Sequence, residues 1–119
     1  NKDLIISGGY NVYPKEVESE IDRLPGVVES AVIGVPHPDL GEGVTAVVVR
    51  SEDGTIEEPA IQRLLKDRLA GYKLPKRVVF LPELPRNAMG KVQKSLLREN
   101  FKNLYRPASP AEREGVGGV

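Results

Sequence analysis

The sequence predicts an α+β domain, with a small three-stranded sheet, flanking helices and an N-terminal hairpin. Short runs of β-branched residues indicate the strands, and the segments between them repeat apolar residues at helical spacing. The chain has 119 residues, which is enough for one domain with one core, and its 39% hydrophobic and 29% charged residues are typical of a globular protein. We expect the domain to cover residues 1–104 and residues 105–119 to be a disordered tail.

The N-terminal part of the chain predicts a hairpin followed by a helix. The apolar run DLIIS stops at Gly8 and Gly9, and an extended stretch resumes at Tyr10. Two glycines between two extended runs are typical of a hairpin turn. Pro14 suits the first turn of a helix. The apolar residues that share one face of this helix are Val17, Ile21 and Leu24.

Three later segments predict the strands of the sheet, at residues 27–36, 44–50 and 78–81. The segment at 44–50 is apolar almost throughout, so we expect it to be a central, buried strand. Residues 37–43 between the first two strands are predicted to be a loop. A second helix is predicted from near Pro59 to a stop at Gly71. A last helix has an apolar face made of Leu96, Leu97, Phe101 and Leu104.

The composition argues against several classes of function. Seventeen basic and seventeen acidic residues cancel, and there are only four Tyr, two Phe and no Trp, which disfavours nucleic acid as a partner. No apolar run approaches the ~20 residues of a membrane helix, so no membrane partner is expected. Cysteine is absent, which removes disulfides and thiolate metal sites and fits a cytoplasmic protein. No metal site is predicted.

Lys91 is the first candidate for chemistry. It follows Gly90 in a loop that begins at Pro85, just before the last predicted helix. A glycine lets the backbone pass close to a ligand, and a lysine supplies a compact charge suited to phosphate or carboxylate oxygens. A solvent-exposed lysine that opens a helix is the more frequent explanation of this pair alone. The motif is not a P-loop, because Pro85 stands where that motif has a glycine.

Other polar residues have plainer explanations. His37 is the only histidine, and no Ser or Cys nucleophile pattern surrounds it, so we interpret it as a structural loop residue. Asp39 and Glu42 are either an acid–base pair or, more commonly, solvated loop residues, with Asp39 making a local turn bond. A basic cluster could meet a phosphate or could be a solvated helix end; it contains Lys66, Lys73, Lys76 and Arg77.

Three segments in order carry a family resemblance: KDLIISGGYNVYPKEVE at 2–18, VVESAVIGVPHPDLGEGVTAVVV at 27–49 and LPRNAMGKVQK at 84–94. Together they resemble the mobile C-terminal domain of the adenylate-forming enzymes, which include acyl-CoA synthetases, peptide-synthetase adenylation domains and luciferases. Within that superfamily, the malonyl-CoA synthetases are the group that three segments resemble most closely, namely NVYPKEVESEID, GEGVTAVVV and PRNAMGKVQK.

The resemblance implies an AMP-forming acid–thiol ligase with ATP and coenzyme A as substrates. It implies that Lys91 is catalytic and holds the substrate carboxylate and the α-phosphate of ATP together while acyl-AMP forms. The charge that develops in such a step is stabilised by a cation between the two anions. It implies a hinge at Lys2 and Asp3, about which the domain rotates before the thioester step. It also implies that Gly8, Gly9 and Tyr10 line the coenzyme A (pantetheine) tunnel.

The partners implied are the domain's own N-terminal adenylation domain, a carboxylic acid, with malonate suspected, and a protein lysine acetyltransferase that would neutralise Lys91. Mg²⁺ is expected to be bound with ATP, mainly through the N-terminal domain. Since the nucleotide and acyl pockets belong to that domain in the family, this chain alone is expected to be inactive. The alternatives are an adenylation-domain fragment that loads a carrier protein and a non-catalytic α+β binding module.

Overall fold

A computed structural model of the chain describes residues 3–107. Two of the predictions lie partly or wholly outside this range, namely the hinge residue Lys2 and residues 108–119 of the predicted tail. The strands are β1 (Ile5–Ser7), β2 (Tyr10–Val12), β3 (Val27–His37), β4 (Gly41–Arg50) and β5 (Arg77–Phe80). The helices are α1 (Pro14–Ile21), α2 (Glu58–Leu65) and α3 (Lys94–Asn100), with a short 3₁₀ turn at Gly71–Lys73.

The predicted α+β fold is confirmed, with β4 at the centre of the sheet. β4 pairs with β3 in an antiparallel ladder and with β5 in a parallel one. The N-terminal hairpin β1–β2 joins the same sheet through one pair, Ser7 with Gly41, so the sheet that the described residues form has five strands. Residues 43–49 of β4 are all buried, as its apolar sequence predicts.

The two faces of the sheet each carry an apolar cluster, because side chains alternate along β4. Val44, Ala46 and Val48 belong to a cluster that α1 and α2 cover. Val47 and Val49 belong to a second cluster, which includes Leu97 of α3. Residues 3–107 therefore form two apolar layers rather than the one core expected from the length of the chain. Within residues 3–107, no helix is long and apolar enough to cross a membrane.

Two predicted boundaries are wrong. The loop expected at residues 37–43 is a short turn, because the β3–β4 ladder continues through Pro36–Glu42 to His37–Gly41. Pro36 is tolerated there because β3 is an edge strand, where a missing N–H leaves no ladder bond unmade. The second helix ends at Leu65 rather than near Gly71, and tight turns with i→i+3 hydrogen bonds continue from there.

The folded part reaches beyond residue 104. Tyr105, which the sequence assigns to the tail, packs against the second apolar cluster. Its Oη lies 2.8 Å from Oγ1 of Thr45, which is fully buried in β4. The aromatic ring and its hydroxyl therefore attach the segment after α3 to the sheet.

Candidate functional site

Residues 86–92, here called the Lys91 loop, form a closed hairpin. Arg86 and Val92 pair as an isolated antiparallel bridge. The side chain of Asn87 accepts hydrogen bonds from the backbone N–H groups of Met89 (2.9 Å) and Lys91 (3.0 Å). The Asn87 N–H donates to the carbonyl of Lys91 at 3.0 Å. Gly90 has a φ of +83°, a conformation that glycine adopts without strain, so the sequence suits this loop shape.

The Arg86 guanidinium connects this loop to the sheet. Its Nε donates to the carbonyl of Gly90 at 3.0 Å. Its Nη1 and Nη2 donate to the two carboxylate oxygens of Glu29 on β3, at 3.1 and 2.5 Å. The hydrogen bonds from Arg86 hold the pKa of the Glu29 carboxyl below its usual range. The residue before Lys91 is therefore held by a side chain that is itself held by β3.

The Lys91 side chain is exposed at the end of this supported loop. Within residues 3–107, its ammonium has no hydrogen-bond or ion-pair partner. Its neighbour Met89 is 92% exposed. An ammonium without a described partner, on a loop whose backbone is hydrogen-bonded, is available to an anion that another surface brings to it.

Asp3, the described half of the predicted hinge, lies near the same end of the molecule as Lys91. Both residues line one cleft together with Lys94. The ammonium of Lys94 is 3.5 Å from the Asp3 carboxylate and 2.8 Å from that of Glu18 on α1. Glu18 also accepts a hydrogen bond from the Val32 N–H of β3 at 2.8 Å. Lys94 of α3 therefore pairs both with Asp3 and with Glu18 of α1.

Gly8 and Gly9, here called the glycine turn, join β1 to β2. Their φ values are +58° and +86°, and Ser7 pairs directly with Tyr10, as in a two-residue type I′ hairpin. A Cβ on Gly8 would come within 3.2 Å of Leu40, but a Cβ on Gly9 would have no described heavy atom within 4 Å. The predicted turn is confirmed, and its second glycine faces open space.

Tyr10 extends the surface of the glycine turn. Its side chain is 59% exposed, and its ring stacks on that of Tyr72 with centroids 4.8 Å apart. Next to Tyr72, the Lys73 ammonium is 2.9 Å from the Glu16 carboxylate, whose hydrogen bond raises the pKa of Lys73. The 3₁₀ turn therefore places the Tyr72 ring against the exposed Tyr10 ring.

The glycine turn and the Lys91 loop attach to opposite ends of the β3–β4 hairpin. The Gly8 N–H donates to the carbonyl of Leu40 at 2.9 Å, in the turn between the two strands. Glu29, which holds the Lys91 loop, lies near the other end of β3. From Glu29 to His37 the strand advances by roughly 26 Å at about 3.3 Å per residue. The two elements therefore attach to the sheet at points separated by most of the length of β3.

Most of the remaining polar candidates have structural partners. The backbone N–H of Asp39 donates to Nδ1 of His37 at 3.1 Å. The local bond in this turn therefore uses the His37 side chain, whereas we expected the Asp39 side chain to make it. Glu42 accepts the N–H of Ile6 at 2.8 Å. In the basic cluster, Arg77 pairs with Glu58 at 3.0 Å.

Sequence reasoning missed the residues that support the site. Asn87 had a local signal, since asparagine three residues before a glycine is typical of a turn that its side chain organises. Arg86 and Glu29 had none, because they are 57 residues apart in the chain. The contact of Tyr72 with Tyr10 likewise depends on how the 3₁₀ turn packs against the hairpin.

The fold and the two loops define a small α+β domain that carries a loop lysine at one end and a double-glycine turn at the other. The protein-family model of the AMP-binding enzyme C-terminal domain matches residues 16–91, which is more than half of the chain. The chain belongs to this family of C-terminal domains, found in adenylate-forming enzymes.

Solved structures and curated relatives agree with this assignment. MatB from Rhodopseudomonas palustris, in apo and ATP-bound crystal structures, is 63% identical, with TM-scores of 0.88 and 0.87. The matches cover 89% and 88% of this chain and 21% of MatB. The 3-[(3aS,4S,7aS)-7a-methyl-1,5-dioxo-octahydro-1H-inden-4-yl]propanoyl:CoA ligase of Rhodococcus jostii (strain RHA1) is 52% identical over 101 residues, which is 85% of this chain and 20% of the ligase.

The long-chain-fatty-acid–CoA ligase FadD13 of Mycobacterium tuberculosis (strain ATCC 25618 / H37Rv) is 50% identical over 100 residues, 84% of this chain and 20% of the ligase. The chain thus spans about a fifth of the length of the relatives it matches.

Proposed function

We propose that this chain acts as the C-terminal domain of an AMP-forming acyl-CoA synthetase, beside an N-terminal adenylation domain. In the first half-reaction a carboxylate oxygen attacks the α-phosphorus of ATP and pyrophosphate leaves. In the second, the thiol of coenzyme A attacks the carbonyl of acyl-AMP and AMP leaves. The observation that supports the proposal is that the Lys91 loop and the glycine turn attach near opposite ends of β3, at Glu29 and at the turn after His37, which are separated by roughly 26 Å of strand. Two elements so far apart can serve one active site only in turn, as the domain rotates.

Lys91 is the adenylation residue in this proposal. The attacking carboxylate and the α-phosphate are both anions, and their approach is opposed by charge repulsion. An ammonium between them stabilises the negative charge that develops in the transition state. Its exposure and its lack of a described partner support this role, because no ion pair within residues 3–107 has to break first.

The glycine turn serves the thioester step. The open space beside Gly9 would let the pantetheine arm of coenzyme A pass along bare backbone, with the exposed Tyr10 ring beside it. Asp3, with Lys2 before it, is the hinge, and its contact with Lys94 lies on the part of the domain that rotates. Mg²⁺ is assigned in this proposal to the adenylation domain, where it would be bound together with ATP.

Malonate is the proposed acid. Two observations support this choice: the chain is 63% identical to MatB, and three of its segments resemble the malonyl-CoA synthetases. An acid panel with malonate, acetate and a long-chain fatty acid tests this part alone. We expect thioester formation with malonate and little with the other two. A preference for the fatty acid would contradict the malonate assignment and leave the two-step mechanism intact.

The mechanism is tested in a protein that joins this chain to its adenylation domain, with the two half-reactions assayed separately. We expect Lys91→Ala to slow pyrophosphate release by roughly 100- to 1,000-fold and to spare thioester formation from acyl-AMP made beforehand. Gly9→Asn should do the reverse, since asparagine tolerates positive φ and keeps the turn but adds a side chain to the path. Lys102→Ala, whose ammonium pairs with Glu99, is the control and should change neither step.

Survival of both steps in Lys91→Ala would overturn the proposed mechanism. The acceptor decides between the two thioester alternatives. If only a phosphopantetheinyl carrier protein, and not coenzyme A, accepts the acyl group, the chain belongs to a carrier-loading enzyme.

Acetylation of Lys91 is a proposed control of the same site. Neutralising the ammonium removes the charge on which the adenylation step depends. The exposure of Lys91 and of Met89 beside it leaves the side chain accessible to a modifying enzyme. Mass spectrometry of the protein from its source cells should find acetyl-Lys91 under some growth conditions, and Lys91 that is always unmodified would contradict this.

A further inference from the structure

The Lys91 loop owes its shape and its orientation to different contacts. The hydrogen bonds of Asn87 close the loop on itself and fix its shape. At the base of the loop, the Gln93 N–H donates to the carbonyl of Pro85 at 2.8 Å. Apart from Arg86, the closed loop is therefore attached to the domain at its two ends. A closed loop held only at its base can tilt as a unit.

Arg86 supplies the contact that opposes such a tilt. One guanidinium makes three hydrogen bonds, one to the carbonyl of Gly90 near the tip and two to Glu29. Glu29 belongs to β3 and pairs with Val49 of the central strand, so the far end of the contact is part of the sheet. The planar fork of arginine fixes both distance and angle, which the single ammonium of a lysine does not.

The magnitudes indicate that this contact matters more for position than for stability. The two side chains are 40% and 28% exposed, and partly exposed ion pairs contribute little to folding. A displacement of about 1 Å at a reacting centre, by contrast, can cost on the order of 100-fold in rate. Lys91 directly follows the glycine whose carbonyl Arg86 holds, so a tilt of the loop moves its ammonium.

We propose that Arg86, held by Glu29, is a positioning residue that orients Lys91 for the adenylation step. The proposal rests on the role of Lys91 in the proposed function. It assigns no contact between Arg86 and substrate; Arg86 acts through the carbonyl of Gly90.

Three variants separate positioning from stability. Arg86→Lys keeps the positive charge, but a lysine cannot make the two hydrogen bonds to Glu29 and the hydrogen bond to Gly90 at the same time. The exchange Glu29→Arg with Arg86→Glu restores a fork between the two positions, but a glutamate at position 86 has no N–H to donate to Gly90. Arg23→Lys is the control, because Arg23 has only a 3.9 Å pair with Glu20 among the described residues.

The kinetic test uses the two-domain protein and both half-reactions. We expect Arg86→Lys to lower kcat of adenylation by about 10-fold or more, with KM for ATP within about twofold and thioester formation from acyl-AMP unchanged. The exchange of Glu29 and Arg86 should restore the melting temperature of the wild type, but it should not restore kcat of adenylation. Recovery of kcat along with melting temperature, or wild-type adenylation in Arg86→Lys, would overturn the proposal.

A second readout does not depend on activity. In the 119-residue chain, we expect Arg86→Lys and the exchange to lower the ¹⁵N heteronuclear NOE of the Gly90 and Lys91 amides, while Arg23→Lys leaves it unchanged. If the Gly90 and Lys91 amides stay as rigid as in the wild type in both Arg86→Lys and the exchange, the proposal is contradicted. Lys91→Ala, run beside them, distinguishes the two failures. If it spares adenylation, the proposed function fails, and if it abolishes adenylation while the Arg86 variants do not, only the positioning role fails.

Discussion

Asp22, just after α1, has a carboxyl group whose ionisation works against folding. Ser30 donates a hydrogen bond to it at 2.7 Å. Burial raises the pKa of Asp22, the Ser30 bond opposes that rise, and the nearby charges of Glu18 and Glu29 add to it. Because the folded-state pKa is raised, the folded chain binds this proton more tightly than the unfolded chain. The stability contributed by protonation is therefore present at low pH and is lost as the pH rises through the folded pKa.

Replacing this carboxyl should stabilise the protein at neutral pH. Asp22→Asn keeps an oxygen that accepts from Ser30 and removes the charge, so we expect the free energy of unfolding to rise by less than about 1 kcal/mol at pH 7. The gain should disappear in acid, where the wild-type carboxyl is protonated. Urea denaturation at a series of pH values measures this, with Asp67→Asn at an exposed turn as control. A stability loss at pH 7 would contradict it.

Glu29 has the opposite linkage, because its pKa is lowered by the hydrogen bonds from Arg86. Its contribution is present above the unfolded pKa and is lost as the pH falls through the folded pKa. The glycine turn could be predicted from the sequence because its signal is local, two glycines between extended runs, whereas a catalytic role for Lys91 became the favoured interpretation only through the family resemblance of its loop. The Arg86–Glu29 contact could not be predicted, because its two residues meet only once the sheet and the Lys91 loop have formed.

At the scale of elements, the segment after α3 belongs to the fold through Tyr105. The Thr45 Oγ1 that its hydroxyl meets also donates to the carbonyl of Gly43 at 3.0 Å, inside the buried part of β4. Burial raises the pKa of Tyr105, with the Thr45 bond opposing the rise. Its neutral form therefore favours folding, and that contribution is lost as the pH rises through the folded pKa in strong alkali.

Removing the Tyr105 hydroxyl should weaken this attachment. We expect Tyr105→Phe to lower the free energy of unfolding by about 1 kcal/mol, the usual contribution of a hydrogen bond whose remaining partner is buried. Tyr13→Phe, at a half-exposed ring, is the matched control and should change it little. Chemical denaturation measures the free energy of unfolding of both variants. If Tyr105→Phe loses no more than Tyr13→Phe, the Tyr105 hydroxyl contributes nothing to stability.

Element types were predictable from the sequence, and element lengths less so. The alternation of apolar residues and the Pro and Gly positions located every helix and strand of the sheet. The β3–β4 ladder continues through Pro36 because edge-strand pairing tolerates the missing N–H, and a sequence does not indicate which strand lies at the edge. Tyr105 looked like tail because a single aromatic residue has no periodicity, and only the buried Thr45 explains its place.

At the scale of the whole molecule, the β3–β4 hairpin lies between the two candidate sites, the Lys91 loop and the glycine turn. Apolar clusters lie against both faces of the sheet, so bending would disturb packing on either side. A close-packed interior resists such deformation. A rotation of the domain would then exchange one end for the other without changing the structure of either.

Mutations at the two ends should therefore act independently on stability. Arg86→Ala removes the contact with Glu29, and Gly8→Ala puts a Cβ 3.2 Å from Leu40 at a φ of +58°, which costs on the order of 1–3 kcal/mol. Because the two sites attach near opposite ends of β3, with roughly 26 Å of strand between Glu29 and His37, we expect the double variant to equal the sum of the single ones within about 0.5 kcal/mol.

Arg86→Ala combined with Glu29→Ala is the contrasting pair, since either change alone already breaks the contact. Its double variant should lose less stability than the sum of the two single losses, by about 0.5 kcal/mol or more. Urea denaturation of the 119-residue chain measures both cycles in one series. Coupling between Arg86 and Gly8 as large as that between Arg86 and Glu29 would mean that the sheet transmits strain along its length, and the two ends could not be treated as separate sites.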